Sequence, residues 1–231
     1  GLLAATARNS RAWPLRLLAS AYINFVRSIP DVLFFLFFPI AFEQGLEWLL
    51  SSRVCTPETL ALNTGQWPPC DGANLHWGST EYLLLAGISL GIVYGAFAGG
   101  VISGAFNAVP RGQLEAARAF GMSRWQVLLR IHIRQMWIYA LPGLANVWMT
   151  LIKATSLLSL LQILDIVALA QRLGAANYSA VAGLVHGDWR WAYYLALLVF
   201  YIALTFVSEK IFAVLSRWAG RGVVTANGDA A

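Results

Sequence analysis

Between Tyr82 and Phe106 the chain runs without a single Asp, Glu, Lys, Arg or His. A stretch of that length and character crosses a bilayer as a helix, because only helices and closed barrels satisfy their own backbone polar groups where water is absent. Three more stretches read the same way: Ile29 to Leu50, Met136 to about Ala170, and Trp189 to about Leu215. The stretch from Met136 is too long for one crossing, so its part from Leu157 onward is predicted to bend or to leave as a second helix. Gly1 to Ala7 reads as the end of a further crossing, stopped by Arg8-Asn9-Ser10-Arg11, and no charged segment precedes it as in a signal peptide. Composition agrees, since 58% of residues are hydrophobic and 12% charged, where soluble domains carry about 25% charged residues. Disordered and collagen-like classes are excluded on the same grounds. The predicted fold class is an all-α polytopic membrane protein, with residues 1–231 forming one transmembrane domain.

Orientation follows from the basic residues between crossings. Arg8, Arg11, Arg16 and Arg27 precede the first full crossing; Arg111, Arg118, Arg124, Arg130 and Arg134 follow Phe106; Lys210, Arg217 and Arg221 lie near the end. The other connections hold only Arg53, or Arg172 and Arg190. The positive-inside bias puts the arginine-rich connections and the C-terminus in the cytoplasm. The net charge of +5 is thus assigned to topology and not to nucleic-acid binding. The long outer loop, about residues 51–79, holds both cysteines, Cys55 and Cys70. In an oxidising outer compartment they are expected to pair, the alternative being two unrelated thiols.

Within the crossings, Gly87, Gly91, Gly95 and Gly99 share one helical face, which allows close helix packing or a thin wall beside a translocation path. Lys153, Thr155, Ser156 and Asp165 are candidates to line such a path, because charges at membrane depth mark function by default. The bland alternatives are that Lys153 reaches an interface, that the hydroxyls bond back to helix carbonyls and that Asp165 caps a helix. Asp31, Glu43 and Glu47 are expected near interfaces. His76, His132 and His186 fall on three separate connections and offer no metal-ligand spacing. Neither lysine, Lys153 or Lys210, follows a glycine-rich phosphate loop, and no Ser-His-Asp or HExxH arrangement appears. The chain is therefore not expected to be an enzyme, and no cofactor is expected in it.

The connection Val109–Gln135 is polar yet patterned as helix, with Leu114, Ala117 and Phe120, then Trp125, Leu128 and Leu129, recurring at three and four. Gly121 permits a break, and Ser123 is a favoured N-cap for a second short helix. Such a helix–turn–helix suits docking into a partner's groove. Its text resembles the EAA signature of ABC-importer permeases: Glu115-Ala116-Ala117, three residues, Gly121, nine residues, then Ile131-x-Ile133. Arg27-Ser28-Ile29-Pro30, Val109-Pro110-Arg111-Gly112-Gln113 and Lys153-Ala154-Thr155-Ser156-Leu157 are similar to runs of the polar amino-acid branch of that family, histidine- and opine-type members above all. Asp165 matches the position of a frequent Glu there. The likeness extends in order from about Tyr22 to Arg217.

The resemblance implies about five transmembrane helices, the first largely absent here, in a bacterial inner membrane. It implies a coupling loop, about residues 109–135, inserted into an ATPase subunit through Gly112, Glu115, Ala116, Ala117, Gly121 and Arg124. It further implies two ATPase subunits that hold the ATP and magnesium, a periplasmic solute-binding protein, and a second permease subunit, a paralogue favoured over an identical copy. Membrane lipid completes the surroundings, and the solute would be a polar amino acid or a related compound. The alternatives are an ion-coupled secondary transporter or an ABC permease for another small solute. The chain departs from the branch in three ways. Ile133-Arg134 stands where Leu-Pro usually closes the signature, Phe97, Gly100 and Ser103 stand where Tyr, Glu and Arg are common, and the outer loop is longer.

Overall fold

The structure is a computed structural model that describes residues 1–10, 12–61, 65, 67–161, 164–177 and 185–221, with side chains 159–161 left aside. Arg11, counted above with the cytoplasmic arginines, lies outside the described residues. The helices in chain order are α1 (Leu2–Arg8), α2 (Trp13–Ser28), α3 (Asp31–Val54), α4 (Pro57–Ala61), α5 (Ser79–Ala108), α6 (Arg111–Ala119), α7 (Arg124–Gln126), α8 (Ile133–Thr155), α9 (Ile166–Gly174) and α10 (Arg190–Gly220). The all-α expectation holds, and α3, α5 and α10 are long and apolar enough to cross a membrane. Helix α8 is shorter and more polar but equals a bilayer in length, at about 35 Å.

Helix α5 is the hub, packing against α1, α2, α3 and α8, while α8 packs on α10, which packs on α9. Small residues make the hub possible. A Cβ on Gly99 would lie 3.1 Å from Ala4 Cβ and 3.5 Å from Ile23 Cδ1, and one on Gly95 would lie 3.2 Å from the Tyr22 hydroxyl. The glycine face is therefore divided: Gly95 and Gly99 receive α1 and α2, whereas Gly87 and Gly91 meet no atom within 4 Å. Two buried clusters hold the bundle. Ala5, Ile102, Ala105, Val109, Met136 and Ala140 form the one nearer the coupling loop, and Val26, Phe35, Val93, Tyr94, Ala96 and Ala154 form the one at mid-depth.

Two boundaries differ from the expectation. The region from Arg8 to Arg27 is not a connection: Trp13–Ser28 is helical, with Pro14 in its first turn, and Ile23 is fully buried. Helices α2 and α3 are separated by a break at Ile29–Pro30, where both residues are extended. Proline has no N–H for a helix interior and restricts the residue before it, so the break is local chemistry. The arginines of α2 hide the helix from a hydropathy reading. Second, Arg124 through Thr155 is continuous helix, with a π-helical segment at Val127–His132. The coupling loop thus has one free-standing helix, α6, and its second helix is the foot of α8.

After Thr155 the chain tightens into a 3₁₀ segment, Ser156–Leu161, before α9. This is the break expected from Leu157 onward. Gly174 allows α9 to meet α10, for a Cβ there would sit 2.7 Å from Arg190 Cα. At the same junction, hydrogen bonds from the Arg190 side chain hold the exposed Asp188 carboxyl down to about 2.

Candidate functional site

Two regions carry polar chemistry where a plain helix bundle has no need of it. The first is the loop between α5 and α8. Helix α6 ends in a turn dictated by Gly121, whose φ is +79°. The Gly121 N–H donates to Arg118 O at 2.9 Å and the Met122 N–H to Ala117 O at 3.2 Å. This double closure is the Schellman motif, which wants a residue without a Cβ at its left-handed position. Ser123 then opens the next helix with a capping box: its hydroxyl accepts from Gln126 N at 3.3 Å, and Gln126 Oε1 accepts from Ser123 N at 2.8 Å.

Helix α6 faces inward through buried Ala117 and half-buried Leu114, which packs on the cluster of Ala5, Ile102 and Met136. Gly112, Glu115, Ala116 and Arg124 point to solvent. Between them Phe120 is 88% and Trp125 72% exposed. Two large aromatics on a polar hairpin are anchors in search of a pocket. His132 ties the foot of α8 to the end of α5, its Nε2 lying 2.8 Å from Phe106 O and its ring against the Phe106 ring.

The second region lies at mid-depth. Tyr94 is midway along Ser79–Ala108, about 22 Å from either end. Its buried hydroxyl donates to Asp31 Oδ2 at 3.1 Å. Asp31 therefore sits beside the middle of α5 and not at its end, because the α2–α3 break delivers it there. Four residues earlier, the Arg27 guanidinium lies 5.4 Å from the centre of the Phe97 ring and fills the space that a side chain on Gly100 would need, 3.0 Å from its Cβ position. The glycine standing where the resembled branch carries Glu is thus the residue that faces Arg27.

Lys153 reaches the same layer from α8. Gly143 abuts Val101, and counting along the antiparallel helices puts Lys153 within about 5 Å of the depth of Tyr94. Ala154 packs in the cluster that contains Val26, Phe35 and Tyr94. Lys153 and Ser156 line an open groove of about 520 Å³ with Tyr201, Thr205 and Glu209 of α10. Thr155 and Ser156 donate to Ile152 O and Lys153 O at 2.7 and 2.6 Å, so their hydroxyl donors are used within the chain. Asp165 is separate from this layer. It caps α9, accepting from Ala168 N at 2.7 Å.

The sequence profile described as binding-protein-dependent transport system inner membrane component matches residues 1–221. The chain belongs to this family. It is 32% identical over 228 residues to the nopaline transport system permease protein of Agrobacterium fabrum, spanning 96% of this chain and 83% of that one. It is also 32% identical over 230 residues to the histidine/lysine/arginine/ornithine transport system permease protein of Escherichia coli, spanning 98% and 86%. The crystal structure of an amino acid ABC transporter with histidines shares the fold, with a TM-score of 0.64 at 21% identity over 94% of this chain and 82% of that chain.

In the permease, then, the structure sets Lys153 beside Thr205 and Glu209 in one groove and joins Tyr94 to Asp31, neighbours that sequence reasoning did not single out. Arg27 and Asp31 were visible as charges, but not their contacts with Phe97 and Tyr94. The signal that places them is Pro30, which breaks a crossing as readily as it begins one. In the loop after α3, Cys55 and Cys70 are bonded, with Cα atoms 5.9 Å apart. Their loop is fastened to α3 by Glu47, 4% exposed, whose carboxylate accepts from Trp67 Nε1 at 2.7 Å and Leu75 N at 3.4 Å. Tyr82 donates to Glu43 nearby.

Proposed function

We propose that this permease carries polar amino acids or opine-like conjugates inward, past a layer of both charge signs formed by Arg27, Asp31, Tyr94 and Lys153. The observation that carries the reading is the Tyr94–Asp31 hydrogen bond midway along α5. An acid, two bases and a phenol at one depth are costly in hydrocarbon and suit a zwitterion passing through a water-filled path. A solute carboxylate would meet Arg27 and Lys153, and its ammonium would meet Asp31, with Thr155 and Ser156 on the wall beside Lys153. Asp165 is left out of the path in this reading, since one of its oxygens caps α9.

A periplasmic binding protein delivers the solute, and two ATPase subunits, which hold ATP and magnesium, dock on the α6 hairpin through Glu115, Phe120, Arg124 and Trp125. The C-terminus lies on that cytoplasmic side, in keeping with the arginine bias. A second permease, a paralogue in this reading, closes the open α10 face. The continuous helix from Arg124 to Thr155 is the lever: ATPase closure at its foot tilts the turn that bears Lys153, about 45 Å away.

Uptake into vesicles containing the assembled transporter tests this. Arg27→Gln and Asp31→Asn should each raise the half-saturating concentration at least tenfold while ATPase assembly is retained. Unchanged uptake and unchanged solute preference in both variants would remove the layer from the path.

A further inference from the structure

At the hairpin end of the bundle, α8 and α10 line a cleft of about 690 Å³, below the part of the α10 face that the second permease is proposed to close. Its walls are Leu129, Ile133, Trp137 and Leu141 on one side and Leu215, Trp218 and Ala219 on the other, with Arg134 and Arg221 also lining it. We infer that this cleft is a binding site for an anionic phospholipid of the leaflet that faces the hairpin, of the phosphatidylglycerol type.

Three observations converge on that ligand. The first is charge. Two arginines line the cleft and no carboxylate does, so an electroneutral occupant would leave both cations uncompensated beside apolar surface. Arginine recognises a phosphodiester through paired, charge-assisted hydrogen bonds. The second is layering. Arg134 is in the first turn of α8 and Arg221 follows the last residue of α10, whereas Leu141 and Leu215 lie about 10 Å deeper along the two helices. Headgroup chemistry therefore sits at the mouth and acyl-chain chemistry below it. The third is the pair of tryptophans, Trp137 and Trp218, one on each wall between those levels. Indole rings favour that boundary, where one edge is apolar and the N–H is wet. The volume falls within the range of small-molecule sites and accommodates part of a lipid rather than a helix.

Neither the transport path nor the hairpin contacts use this cleft. Lys153 and Glu209 belong to a different groove on α10, and Phe120 and Trp125 do not line this one. A lipid here would brace the foot of α8 against α10, at the start of the lever proposed above.

The test is lipid retention by the complete assembled transporter, read by native mass spectrometry. After delipidation, wild type reloaded from mixed micelles should take phosphatidylglycerol over phosphatidylcholine. The double variant Arg134→Gln, Arg221→Gln should lose that preference by roughly thirtyfold, about fivefold for each arginine facing an anionic headgroup. A photoreactive residue at Trp137 should label lipid. Equal uptake of both lipids by wild type overturns the inference without any appeal to the variants. So does an unchanged preference in a double variant that still assembles, or labelling of a protein subunit from position 137. None of these readouts depends on solute transport, so failure here leaves the transport reading standing.

Discussion

Gly121 permits a clean test of how the hairpin works, because its conformation and its contacts separate. Its φ of +79° is in the left-handed region, yet a Cβ built there meets no atom within 4 Å. Substitution therefore costs conformational energy alone, with no clash inside the chain. A left-handed backbone costs an ordinary L-residue about 1–2 kcal/mol, and less for Asn, whose side chain supports the same turn. A β-branched residue is worse still. Gly121→Asn should be mild, Gly121→Ala should weaken the closed turn by about 1 kcal/mol, a factor near five, and Gly121→Val should weaken it most. The assay is retention of the ATPase subunit on purified permease, together with solute-stimulated ATP hydrolysis. Gly112 supplies the control, since it too has nothing within 4 Å of a Cβ but has no positive φ. Any loss in Gly112→Ala therefore measures contact with the partner rather than the turn. If Val at position 121 behaves like Gly, or ranks above Asn, the turn is not what positions the docking face.

Other expectations follow from single contacts. Glu47→Ala strands the Trp67 and Leu75 donors, a loss of about 2–4 kcal/mol, and should expose the outer loop to trypsin at Arg53; Glu47→Gln, which keeps an acceptor, should be intermediate. Cys55 and Cys70 should resist alkylation until the protein is reduced, and two labelled thiols in unreduced protein would refute the bond. Gly174→Ala drives a Cβ to 2.7 Å from Arg190 Cα, so the α9–α10 junction should lose about 1–3 kcal/mol, seen as a lower Tm in detergent.

What could be read from the sequence depended on the solvent each segment meets. Tyr82–Phe106 was legible because a fully apolar run has one reading in a bilayer. Helix α3 was legible on the same ground, but α2 was not, because its arginines made it read as a connection. Only the partners reveal the depth: the Tyr22 hydroxyl donates to Ile92 O at 2.6 Å, and Asp31 takes the Tyr94 hydroxyl. Both are contacts across some sixty to seventy residues of chain, which no local pattern encodes. The foot of α8 was hidden for the opposite reason. Val127–His132 looks like a polar helix of its own, and its continuity with the crossing rests on a π-helical register that leaves no mark in spacing.

The site divides along the same line. Gly121 and Ser123 could be read directly, since a left-handed turn and a capping box are both written within five residues. The mid-membrane layer could not, because its members come from α2, α3, α5 and α8 and share only a depth. Charge counting marked Lys153 as functional yet dismissed Asp31, although the same rule applies to both once their levels are known. Asp165 was drawn toward the path by its position in an apolar stretch, and an aspartate three residues before a free helical N–H also has a local use as an N-cap, which occupies one of its two oxygens. At membrane depth a charge with a nearby backbone donor is structural first, whereas Arg27, held by an aromatic face and by the space over Gly100, has no comparable local use and is the stronger candidate for solute.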